Sequence, residues 1–501
     1  MEAKDGFCER RRMLEDVPAD RQAKLERLRA LGVDPYRGEL AGAESIATVR
    51  AKFRPEGDPP TVAAAGRIVG GMRRHGRAAF FHIQDWTGRL QVYVRKDRVG
   101  DDGFAIFGLL DIGDIVGVSG TLEKTRTGEV TIFADRLVPM SKALLPLPEK
   151  WHGLKDVETR YRQRSLDLIS NPEVTEQFLL RTRIVSGVRR FLEERGFVEV
   201  ETPMMQAIPG GAAALPFVTH HNALGIDLYL RISPELYLKR LLVGGMERVY
   251  EINRNFRNEG ISPTHSPEFT MLEFYQAYGN YQVMMDLTEG MVVAAVAEAE
   301  PSLKLPFGEN VIDYTPPWAR RTYAELLEEH AGLAIDDAAG ARAKARELGL
   351  DVEGLRDCDI VNEIFEATCG PFLVQPTFVH DYPAELCPLT RRKTDNPSIA
   401  ERFECFIAEM EVANAYSELN DPLIQEALFR EQAGEEASMV GCIDEAFLTA
   451  LRHGMPPAGG CGVGIDRLVM LLTDTRVMRD VILFPLLRPT PVERAQEDEA
   501  T

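Results

Sequence analysis

Residues 250–278 read YEINRNFRNEGISPTHSPEFTMLEFYQAY, and this stretch decides the fold of the larger part of the chain. Two runs rich in apolar and aromatic residues, 248–257 and 268–278, predict neighbouring strands joined by a long polar loop. Side chains of a strand alternate between its two faces, so an antiparallel pair displays a defined set of groups on one surface. That set comprises Asn253, Asn255 and Arg257 on the first strand and Phe269, Met271, Glu273 and Tyr275 on the second.

This surface is suited to binding an anion together with an aromatic base. An arginine grips a carboxylate or phosphate through two parallel hydrogen bonds, and an aromatic ring stacks on a base. The connecting loop adds Glu259 and His265. Taken alone, the pattern also fits a solvated hairpin in which Arg257 simply pairs with a glutamate.

The N-terminal part of the chain predicts a small closed barrel. Residues 61–143 contain short β-rich runs at 79–83, 89–94, 113–120 and 129–138, with a turn at 85–88, which is typical of an OB-fold. A charged helix is predicted at 21–31, ended by Gly32, and the sequence LLPLP at 144–148 marks a domain boundary. The predicted domains are therefore an N-terminal helical extension, 1–60, and an OB-fold domain, 61–145.

The remaining residues, 146–501, predict one domain of the α+β class, an antiparallel β-sheet flanked by helices, because strands outnumber βαβ units. Helices are predicted at 175–195 and from Ser233, as N-cap, with Pro234 at the first helical position, to Gly244. Strands are predicted at 197–201 and within 401–418, which contains a turn. A glycine-rich strand running into a helix is predicted at 459–472, and a helical insertion at 335–358.

Composition and charge exclude several classes of protein. The formal net charge is −20, but residues 1–150 hold 25 Lys and Arg against 22 Asp and Glu, so the acidic residues lie mainly in the C-terminal part. A nucleic-acid partner requires only a local basic face, and the N-terminal part is compatible with one. There is no long apolar run, and residues 1–16 lack the apolar core of a signal peptide, so we expect no contact with a membrane.

Cysteine spacing and nucleotide-binding motifs narrow the possibilities further. The seven cysteines are scattered and form no CxxC pair, which disfavours structural zinc and disulfides and indicates a cytoplasmic location. The chain has no GxxxxGK[ST] loop, and the glycines at 460–464 do not have the spacing of a dinucleotide-binding loop. If the protein uses ATP, it binds the nucleotide by another device.

Three segments together resemble the signature motifs of class II aminoacyl-tRNA synthetases. FVEVETP at 197–203 resembles motif 1, FRNEG with HSPEFT at 256–270 resembles motif 2, and GVGIDR at 462–467 resembles motif 3. The segments SPELYLK at 233–239 and NAYSELND at 414–421 are similar to lysyl-tRNA synthetases rather than to the aspartate and asparagine enzymes. The resemblance implies that L-lysine reacts with ATP to form lysyl-adenylate and is then transferred to the 3′-end of tRNA(Lys).

The resemblance also implies roles for individual residues around ATP. Arg257 and Arg467 are the implied catalytic residues, with Arg257 holding both the substrate carboxylate and the α-phosphate. The ATP-binding set is completed by three residues of the loop and second strand, Glu259, His265 and Phe269. Up to three Mg²⁺ ions per subunit are implied, with Glu404 and Glu411 as the metal-binding carboxylates.

Two further sets of residues follow from the same resemblance. The lysine-binding set is Gly211, Glu235, Arg257, Glu273, Tyr275, Asn414, Tyr416 and Glu418, in which acidic residues meet both amines of the substrate. In the barrel, the implied anticodon-binding residues are Arg67, Phe80, Gln91 and Glu129. For Phe80 the alternative is a place in the barrel core. A homodimer is also expected, because motif 1 builds a subunit interface in this class.

The sequence departs from the usual pattern at three positions, Leu215, Ser266 and Met410. Leu215 and Met410 stand where basic residues are usual, which puts the behaviour of a loop and the affinity for ATP or magnesium in question. Two other functions stay open: a paralogue that modifies a protein such as elongation factor P, and a non-catalytic RNA-binding derivative. Paralogues of the first kind lack the barrel, whereas a derivative of the second kind would be expected to have lost one of Arg257, Arg467, Glu404 or Glu411.

Overall fold

The structure, a computed structural model, describes residues 17–147, 154–212, 214–435 and 443–489. The chain divides into two compact units, one around a barrel and one around a large sheet, and each is described by itself. The expectation about a signal peptide concerns residues 1–16, which lie outside the described residues. No helix in the described ranges is long and apolar enough to cross a membrane.

Five strands close into a barrel in the order β1-β2-β3-β5-β4, which confirms the predicted OB-fold. Alternate residues point inward and form an apolar core that includes Phe81, Val92, Val118 and Ile132. The elements of this unit are α1 (Ala19–Ala30), α2 (Ile46–Ala51), β1 (Thr61–His75), β2 (Ala78–Asp85), β3 (Gly88–Arg95), α3 (Lys96–Phe107), β4 (Ile115–Lys124) and β5 (Val130–Ser141).

Helix α3 was not predicted, and its sequence explains why. Gly100 interrupts it with φ 76° and ψ 179°, so the segment has a kink and weak helix propensity. Its helical conformation depends on packing, because Phe104 and Phe107 are buried in the barrel core. Tertiary contacts therefore override the local sequence preference.

The rest of the chain contains an eight-stranded sheet and two small sheets. The elements that lead to its central hairpin are α4 (Val157–Arg162), α5 (Arg164–Ser170), α6 (Pro172–Glu193), β6 (Val198–Glu199), β7 (Met205–Gln206), β8 (Val218–His221), β9 (Ile226–Leu230) and α7 (Glu235–Val243). The hairpin and the insertion comprise β10 (Arg248–Phe256), β11 (Glu268–Ala277), α8 (Tyr281–Ala297), β12 (Lys304–Phe307), β13 (Asn310–Asp313), β14 (Ala319–Thr322), α9 (Tyr323–Ala331), α10 (Ala338–Leu348) and α11 (Asp357–Cys369). The last elements are β15 (Thr377–Pro383), β16 (Ile399–Ile407), β17 (Met410–Ser417), α12 (Pro422–Glu435), α13 (Glu445–Arg452), β18 (Ala458–Gly464) and α14 (Ile465–Leu472).

The large sheet has the order β14-β15-β16-β17-β18-β11-β10-β6. All pairs in its centre are antiparallel, as predicted, whereas the outermost pairs β14–β15 and β10–β6 are parallel. The sheet is therefore mixed, and the α+β class with flanking helices is confirmed. Its strands β10 and β11 pair over nine positions from Arg248 with Gln276 to Phe256 with Glu268.

The two faces of the large sheet have different roles. On one face Leu272, Phe274 and Val463 join a core that includes side chains of α6, α8 and α14. On the opposite face Tyr275 joins a smaller cluster with side chains of α7 and α13. This second face carries the polar residues predicted from the sequence, and α7 packs against it near Tyr275.

Three local predictions required correction. The predicted strand 197–201 is paired only at Val198 and Glu199. Ser233 is not the N-cap of its helix, because α7 begins at Glu235 with Pro234 as the cap residue. The hydroxyl of Ser233 nevertheless accepts a hydrogen bond from the backbone N–H of Glu235 at 3.1 Å, and it donates to Glu273. The predicted insertion 335–358 contains helix α10, a connecting loop and only the first residues of α11.

Candidate functional site

Two rows of residues cross strands β17, β18 and β11 and form the floor of the candidate site. Asn414 lies opposite Gly462, which lies opposite Glu273; in the next row Tyr416, Gly460 and Tyr275 are opposed in the same way. Directly opposed residues of a sheet share a face. The central strand therefore contributes glycines where its neighbours contribute polar side chains.

The glycine at 460 is required by space rather than by backbone conformation. A Cβ atom there would lie 2.1 Å from Oε1 of Glu418 and 2.3 Å from Cε1 of Tyr275. At Gly462 a Cβ would lie 2.3 Å from Cε of Met271. A side chain at Gly460 or Gly462 would therefore displace the groups that flank the floor.

Three carboxylates are buried beside this floor: Glu235, Glu273 and Glu418 are 4%, 3% and 1% exposed. Glu273 accepts hydrogen bonds from Ser233 at 2.8 Å and from the Tyr275 hydroxyl at 3.1 Å. The Tyr416 hydroxyl donates to Oε2 of Glu235 at 2.7 Å. We call Glu235, Glu273 and Glu418, with the two tyrosines, the acidic pocket.

One cation lies among these carboxylates. The side chain of Lys239 is fully buried, with Nζ 2.5 Å from Oε1 of Glu235 and 2.5 Å from Oε2 of Glu418. The first contact is a hydrogen bond. The second lacks hydrogen-bond geometry, and neither carboxylate oxygen of Glu418 has a hydrogen-bond donor among the described residues. Glu418 therefore lies beside one cation, but its carboxylate oxygens accept no hydrogen bond from a described residue.

Burial and like charge shift the ionisation of the acidic pocket. Burial raises the pKa of Glu273 to about 8, the negative charge of Glu235 adds to the rise, and the hydrogen bonds from Ser233 and Tyr275 oppose it. Burial also raises the pKa of Glu418, against the opposing charge of Lys239. The pKa values of Tyr275 and Tyr416 lie well above the ordinary value, first because of burial and then because carboxylates surround them. The pocket therefore favours a bound cation.

Gly211 lies next to the acidic pocket. Its φ of +86° is in the left-handed region that favours glycine, and a Cβ there would lie 3.1 Å from Cβ of Glu235. Asn414 is half-buried, and its side-chain oxygen accepts a hydrogen bond from Arg402 at 3.1 Å. The structure thus brings together the predicted lysine-binding residues from a loop, a helix and two strands.

A cavity of about 310 Å³ adjoins the floor and is lined by the predicted ATP-binding residues. Its lining includes Asn414 and Gly462 from the floor, together with Arg257, Glu259, His265, Phe269 and Arg467. Arg257 lies over the ring of Phe269, with Cζ 5.2 Å from the ring centroid, and its Nε is buried with no hydrogen bond to a described residue. This guanidinium is therefore able to bind an anion in the cavity.

Arg467 connects two parts of the cavity wall. Its Nη1 donates to the backbone oxygen of Glu411 at 2.5 Å, and its Nη2 lies 3.1 Å from Nε2 of His265. Burial, and then the charge of Arg467, lowers the pKa of His265. A neutral imidazole can accept the hydrogen bond from the arginine.

A second cavity, of about 700 Å³, shares His265, Glu411 and Arg467 with the first. Its lining also includes Glu404, which accepts hydrogen bonds from Tyr382 at 2.8 Å and from Arg402. Burial raises the pKa of Glu404 to about 7 against the opposing charge of Arg402, and Glu411 adds to the rise. Two carboxylates that repel each other beside an open cavity are suited to holding a hard cation.

No group of three or more described His, Cys, Asp or Glu side chains has the arrangement of a metal site. Magnesium commonly takes only one or two protein carboxylates and completes its shell with water and substrate phosphates. Glu404 and Glu411 fit that pattern in number and chemistry.

The barrel displays a separate group of predicted residues. Phe80 is half-buried and stacks on Tyr93 with ring centroids 4.3 Å apart, while its neighbours Ala79 and Phe81 occupy the core. Glu129 accepts hydrogen bonds from Gln91 at 2.8 Å and contacts His82 at 2.9 Å. The alternative that placed Phe80 in the barrel core is therefore wrong.

Arg67 is held differently from the rest of this group. It is half-buried, and its Nη1 donates to the backbone oxygen of Gly113 at 2.8 Å. The opposed pairs in the barrel place Arg67 across from Gln84, and Phe80 across from Arg73. The structure brings Phe80 and Gln91 onto neighbouring strands, places Glu129 just before β5, and fixes Arg67 by a contact of its own.

The three departures from the usual pattern occupy different environments. The side chain of Leu215 is 55% exposed, while its backbone oxygen accepts a hydrogen bond from Asn258. Ser266 lines the first cavity, and Met410 lines the second. None of them lies in the acidic pocket.

Comparisons with known proteins fit this geometry. A family model described as tRNA synthetases class II (D, K and N) matches residues 156–488, and one described as an OB-fold nucleic acid binding domain matches residues 62–140. The lysine–tRNA ligase of Moorella thermoacetica is 53% identical over 481 residues, which cover 95% of this chain and 98% of the relative. That of Magnetococcus marinus is 50% identical over 486 residues, which cover 94% and 96%. The chain belongs to the class II lysine–tRNA ligases.

Membership of the lysine–tRNA ligases confirms the resemblance, the enzyme class and the fold class predicted from the sequence. These relatives match both the barrel and the large sheet, which disfavours a protein-modifying paralogue without the barrel. As in the family's reaction, lysine, ATP and tRNA are the substrates. The roles of individual residues, the magnesium ions and the dimer stay predictions.

Sequence reasoning missed several residues that shape the site. They are Ser233, Lys239, Arg402, Gly460 and Gly462. A signal for Lys239 was present, because Glu235 and Lys239 are four residues apart and therefore face the same side of a helix. The two glycines carried no such signal, since their importance depends on which strands flank β18.

Proposed function

We propose that the acidic pocket and the two cavities carry out both steps of lysine–tRNA ligation. In the first step a carboxylate oxygen of L-lysine attacks the α-phosphorus of ATP, which forms lysyl-adenylate and releases pyrophosphate. In the second step a terminal ribose hydroxyl of tRNA(Lys) attacks the lysyl carbonyl carbon and releases AMP. The observation that carries the proposal is the cluster of buried carboxylates beside the glycine floor, directly next to a cavity with an unsatisfied arginine.

The acidic pocket would recognise both amines of lysine. Glu235 and the carbonyl of Gly211 would bind the α-ammonium, while Glu273, Tyr275 and Glu418 would surround the ε-ammonium. Oε1 of Glu418 supports this role: Lys239 lies against Oε2, whereas Oε1 accepts no hydrogen bond from a described residue, and a buried carboxylate oxygen without a donor is costly until a cation arrives. A neutral isostere would leave that charge unpaired, so the pocket discriminates strongly against it.

Two further residues would fix the orientation of the substrate. Asn414 would donate from its amide to the lysine carboxylate, and Tyr416 would pack along the aliphatic stem. Both stand on the floor, where Gly460 and Gly462 leave room above the sheet. Arg257 would hold the same carboxylate at the cavity side, next to the α-phosphate of ATP.

The first cavity would hold ATP in a bent arrangement around Arg257. Phe269 and Arg467 would enclose the adenine by stacking and cation–π contact, Glu259 would bind the adenine edge, and His265 would lie near the γ-phosphate. Arg257 would bring nucleophile and electrophile together and neutralise charge that develops on phosphorus. In the free protein the guanidinium of Arg257 lies over the Phe269 ring, close to where the adenine would stack.

Glu404 and Glu411 would hold magnesium beside the phosphates. When bound, magnesium would neutralise negative charge on the triphosphate and on the leaving pyrophosphate. Arg402 orients this site from the protein side, because it contacts Glu404 and also Asn414. One residue thus links the metal carboxylate to the substrate-binding amide.

The transfer step would depend mainly on positioning. The adenylate is already activated, so placing the ribose hydroxyl near the carbonyl carbon supplies most of the acceleration. On the barrel, Phe80 would stack on an anticodon base while Arg67, Gln91 and Glu129 bind base edges. The half-buried ring of Phe80 beside Tyr93 supports this interpretation.

We propose that the enzyme is a homodimer and that it works in the cytoplasm. Strand β6 lies at the edge of the large sheet, and Val198 is 51% exposed there, with Met204 and Met205 exposed nearby. An exposed apolar sheet edge is suited to burial in an interface. Light scattering after size exclusion should give twice the chain mass of 56.0 kDa, and a stable monomer would contradict the dimer.

The central experiment is lysine-dependent exchange of pyrophosphate into ATP, with aspartate, asparagine and β-lysine as controls. Charging of bulk tRNA by the same preparation would follow. We expect exchange with lysine and charging of a lysine acceptor. Exchange without charging would indicate an impaired tRNA surface or a protein-modifying enzyme, and absence of exchange with every amino acid would refute the catalytic proposal.

A further inference from the structure

Lys239 is a buried cation for which the proposed reaction has no use. It projects from α7, has no exposed side-chain surface, and contacts Glu235 and Glu418 while its Nζ lies 5.5 Å from the centre of the Tyr416 ring. Placing a lysine amine in a protein interior is expensive unless it is paired. Here it is paired with the carboxylates that are also expected to bind the substrate.

The charged groups that face Lys239 can be counted from every element around it. Helix α7 contributes Glu235, β11 contributes Glu273 with Tyr275, the end of β17 leads to Glu418 with Tyr416, and β18 contributes only glycine at the floor. A fourth carboxylate, Glu251, contacts Arg231 at 2.6 Å and is already paired. Two carboxylates, Glu235 and Glu418, therefore contact one ammonium, and a third, Glu273, is buried beside them in the same pocket.

The free pocket has two more acidic groups than cations, and lysine carries two ammonium groups. When lysine binds with its own carboxylate at Arg257, the three pocket carboxylates meet three ammonium groups. Each ion is then paired, which is the condition under which buried charges are tolerated. The match requires Lys239, because without it the two ammonium groups of the substrate would leave one of the three carboxylates unpaired.

We propose that Lys239 is a specificity-determining residue, a permanent cation that balances one pocket carboxylate so that the pocket is completed by an amino acid with two ammonium groups. The inference rests on the proposed lysine-binding role of Glu235, Glu273 and Glu418. Lys239 positions and charges these groups without taking part in bond making. The closely matched distances to two of them support this role.

Removal of the charge has a consequence that depends on pH. In Lys239→Met the three carboxylates have no internal cation, so they hold their protons more tightly than in the wild type. Lysine must then displace those protons to form its ion pairs, which weakens binding near neutral pH. At higher pH the carboxylates of Lys239→Met lose their protons before lysine binds, so the affinity of the variant for lysine approaches that of the wild type.

The test is the ratio of the KM for lysine in Lys239→Met to that in the wild type, measured by pyrophosphate exchange from pH 7 to 9.5. We expect a ratio of about ten or more at pH 7 that falls toward one at the upper end, since each pKa unit of added proton affinity is tenfold in binding. Lys239→Arg keeps the positive charge, so the ratio of its KM for lysine to that of the wild type should not change with pH. A Lys239→Met ratio near one throughout, or an elevated ratio independent of pH, would overturn the inference.

A matched control exists in the other unit of the protein. Lys142 is also fully buried, and its Nζ lies 2.6 Å from Asp111 and 3.0 Å from Asp114. Lys142→Met removes a buried paired lysine of the same kind but should leave the lysine KM of exchange at the wild-type value. If the wild type shows no lysine-dependent exchange, the proposed function fails, and that result is distinct from a failure of this inference.

A second measurement uses the unmodified protein and avoids any folding defect of a variant. Calorimetric titration of lysine at pH 7, in buffers of different ionisation enthalpy, reports protons released on binding. Charge matching predicts release of about two protons, one for each ammonium that replaces a proton on a buried carboxylate. Binding with no proton release, or with proton uptake, would overturn the inference even if no variant of Lys239 folds.

Discussion

Two buried lysines, one in the barrel and one beside the large sheet, look alike in isolation and differ in their surroundings. Lys142 and Lys239 each lie between two carboxylates and have no exposed side-chain surface. In the barrel, Asp111 also pairs with Lys24 at 2.5 Å, so two carboxylates meet two lysines. In the acidic pocket, one lysine contacts Glu235 and Glu418, and the third carboxylate, Glu273, contacts neither it nor another described lysine.

The ionisation of the neighbouring carboxylates reflects this difference. Burial alone would favour protonated Asp111, but hydrogen bonds from Lys142 and Lys24 outweigh it and lower its pKa. Burial raises the pKa of Glu273 to about 8, and the hydrogen bonds from Ser233 and Tyr275 offset only part of the rise. Asp114 also accepts backbone hydrogen bonds from Asp111 and Ala143, whereas no backbone amide of the described residues donates to Glu418. A saturated ion cluster indicates a structural role, and an unsaturated one indicates a place for a ligand.

The largest expected effect concerns the stability of the barrel. Asp114→Asn removes a buried carboxylate that Lys142 and two backbone amides require, so it should lower the free energy of unfolding by about 3 kcal/mol. Hydrogen exchange of the amides in the barrel strands, measured across a denaturant series, reports this loss for the barrel alone. If the free energy of unfolding fell by less than about 1 kcal/mol, the ion pairs and hydrogen bonds of Asp114 would not hold the barrel cluster together.

The next effect tests function at the corresponding place in the acidic pocket. Glu418→Gln removes a carboxylate that would bind the ε-ammonium, so it should raise the KM for lysine by about 100-fold, as for loss of one partner of a buried ion pair. Pyrophosphate exchange at saturating ATP measures it. Asp114→Asn is the control and should leave this KM unchanged, and equal effects of the two variants would erase the distinction between the clusters.

A smaller effect distinguishes the role of the barrel surface, which concerns tRNA charging, from that of the acidic pocket, which concerns lysine activation. Phe80→Ala removes a stacking ring, so it should reduce kcat/KM for tRNA charging by about tenfold while leaving exchange intact, because stacking contributes about 1–3 kcal/mol per base. Phe81→Leu, in the core behind it, is the control for barrel stability. A Phe80 variant that impairs exchange as strongly as charging would contradict an anticodon role.

The sequence could predict the local parts of this architecture. The strands 248–257 and 268–278 were predicted because alternating side chains are visible within each strand, and the structure pairs Asn253 with Met271 and Asn255 with Phe269 on the expected face. The helix at the start of SPELYLK was also predicted, although it begins at Glu235, one residue later than the predicted first helical residue, Pro234. Patterns that lie within one element, or within one hairpin, are readable without the fold.

The parts that could not be predicted depend on pairing between distant segments. The glycines of β18 matter only because β17 and β11 flank them and place Tyr416 and Tyr275 on either side of Gly460. The role of Lys239 depends on Glu418, which lies far along the chain and reaches it only through the sheet. Long-range register, rather than local propensity, therefore determines the shape and charge of the pocket.

The smallest effect is a pH dependence that should have opposite sign in the two clusters. The pKa of Glu273 is about 8 in the folded protein and ordinary, 4.5, in the unfolded chain, so the folded state holds the proton more tightly between these values. Wild-type stability relative to Glu273→Gln should therefore be unaffected below pH 4.5, fall as pH rises toward 8, and level off above it. Asp111, with a lowered pKa, instead stabilises the fold above its ordinary value of 3.8 and loses this contribution in acid.

We expect the free energy of unfolding of Glu273→Gln to exceed that of the wild type by about 1 kcal/mol at pH 8. This is only a fraction of the value that the full pKa shift would give, because buried sites respond with an effective dielectric constant well above that of dry protein. Thermal unfolding of both proteins across pH 5 to 8.5 measures the difference. Saturating lysine should cancel or reverse it, since the substrate supplies the missing cations to Glu273 and its neighbours. A carboxylate that destabilises the free enzyme but not the lysine complex has a role in binding. If saturating lysine left the stability difference between the two proteins unchanged, Glu273 would have a structural role instead.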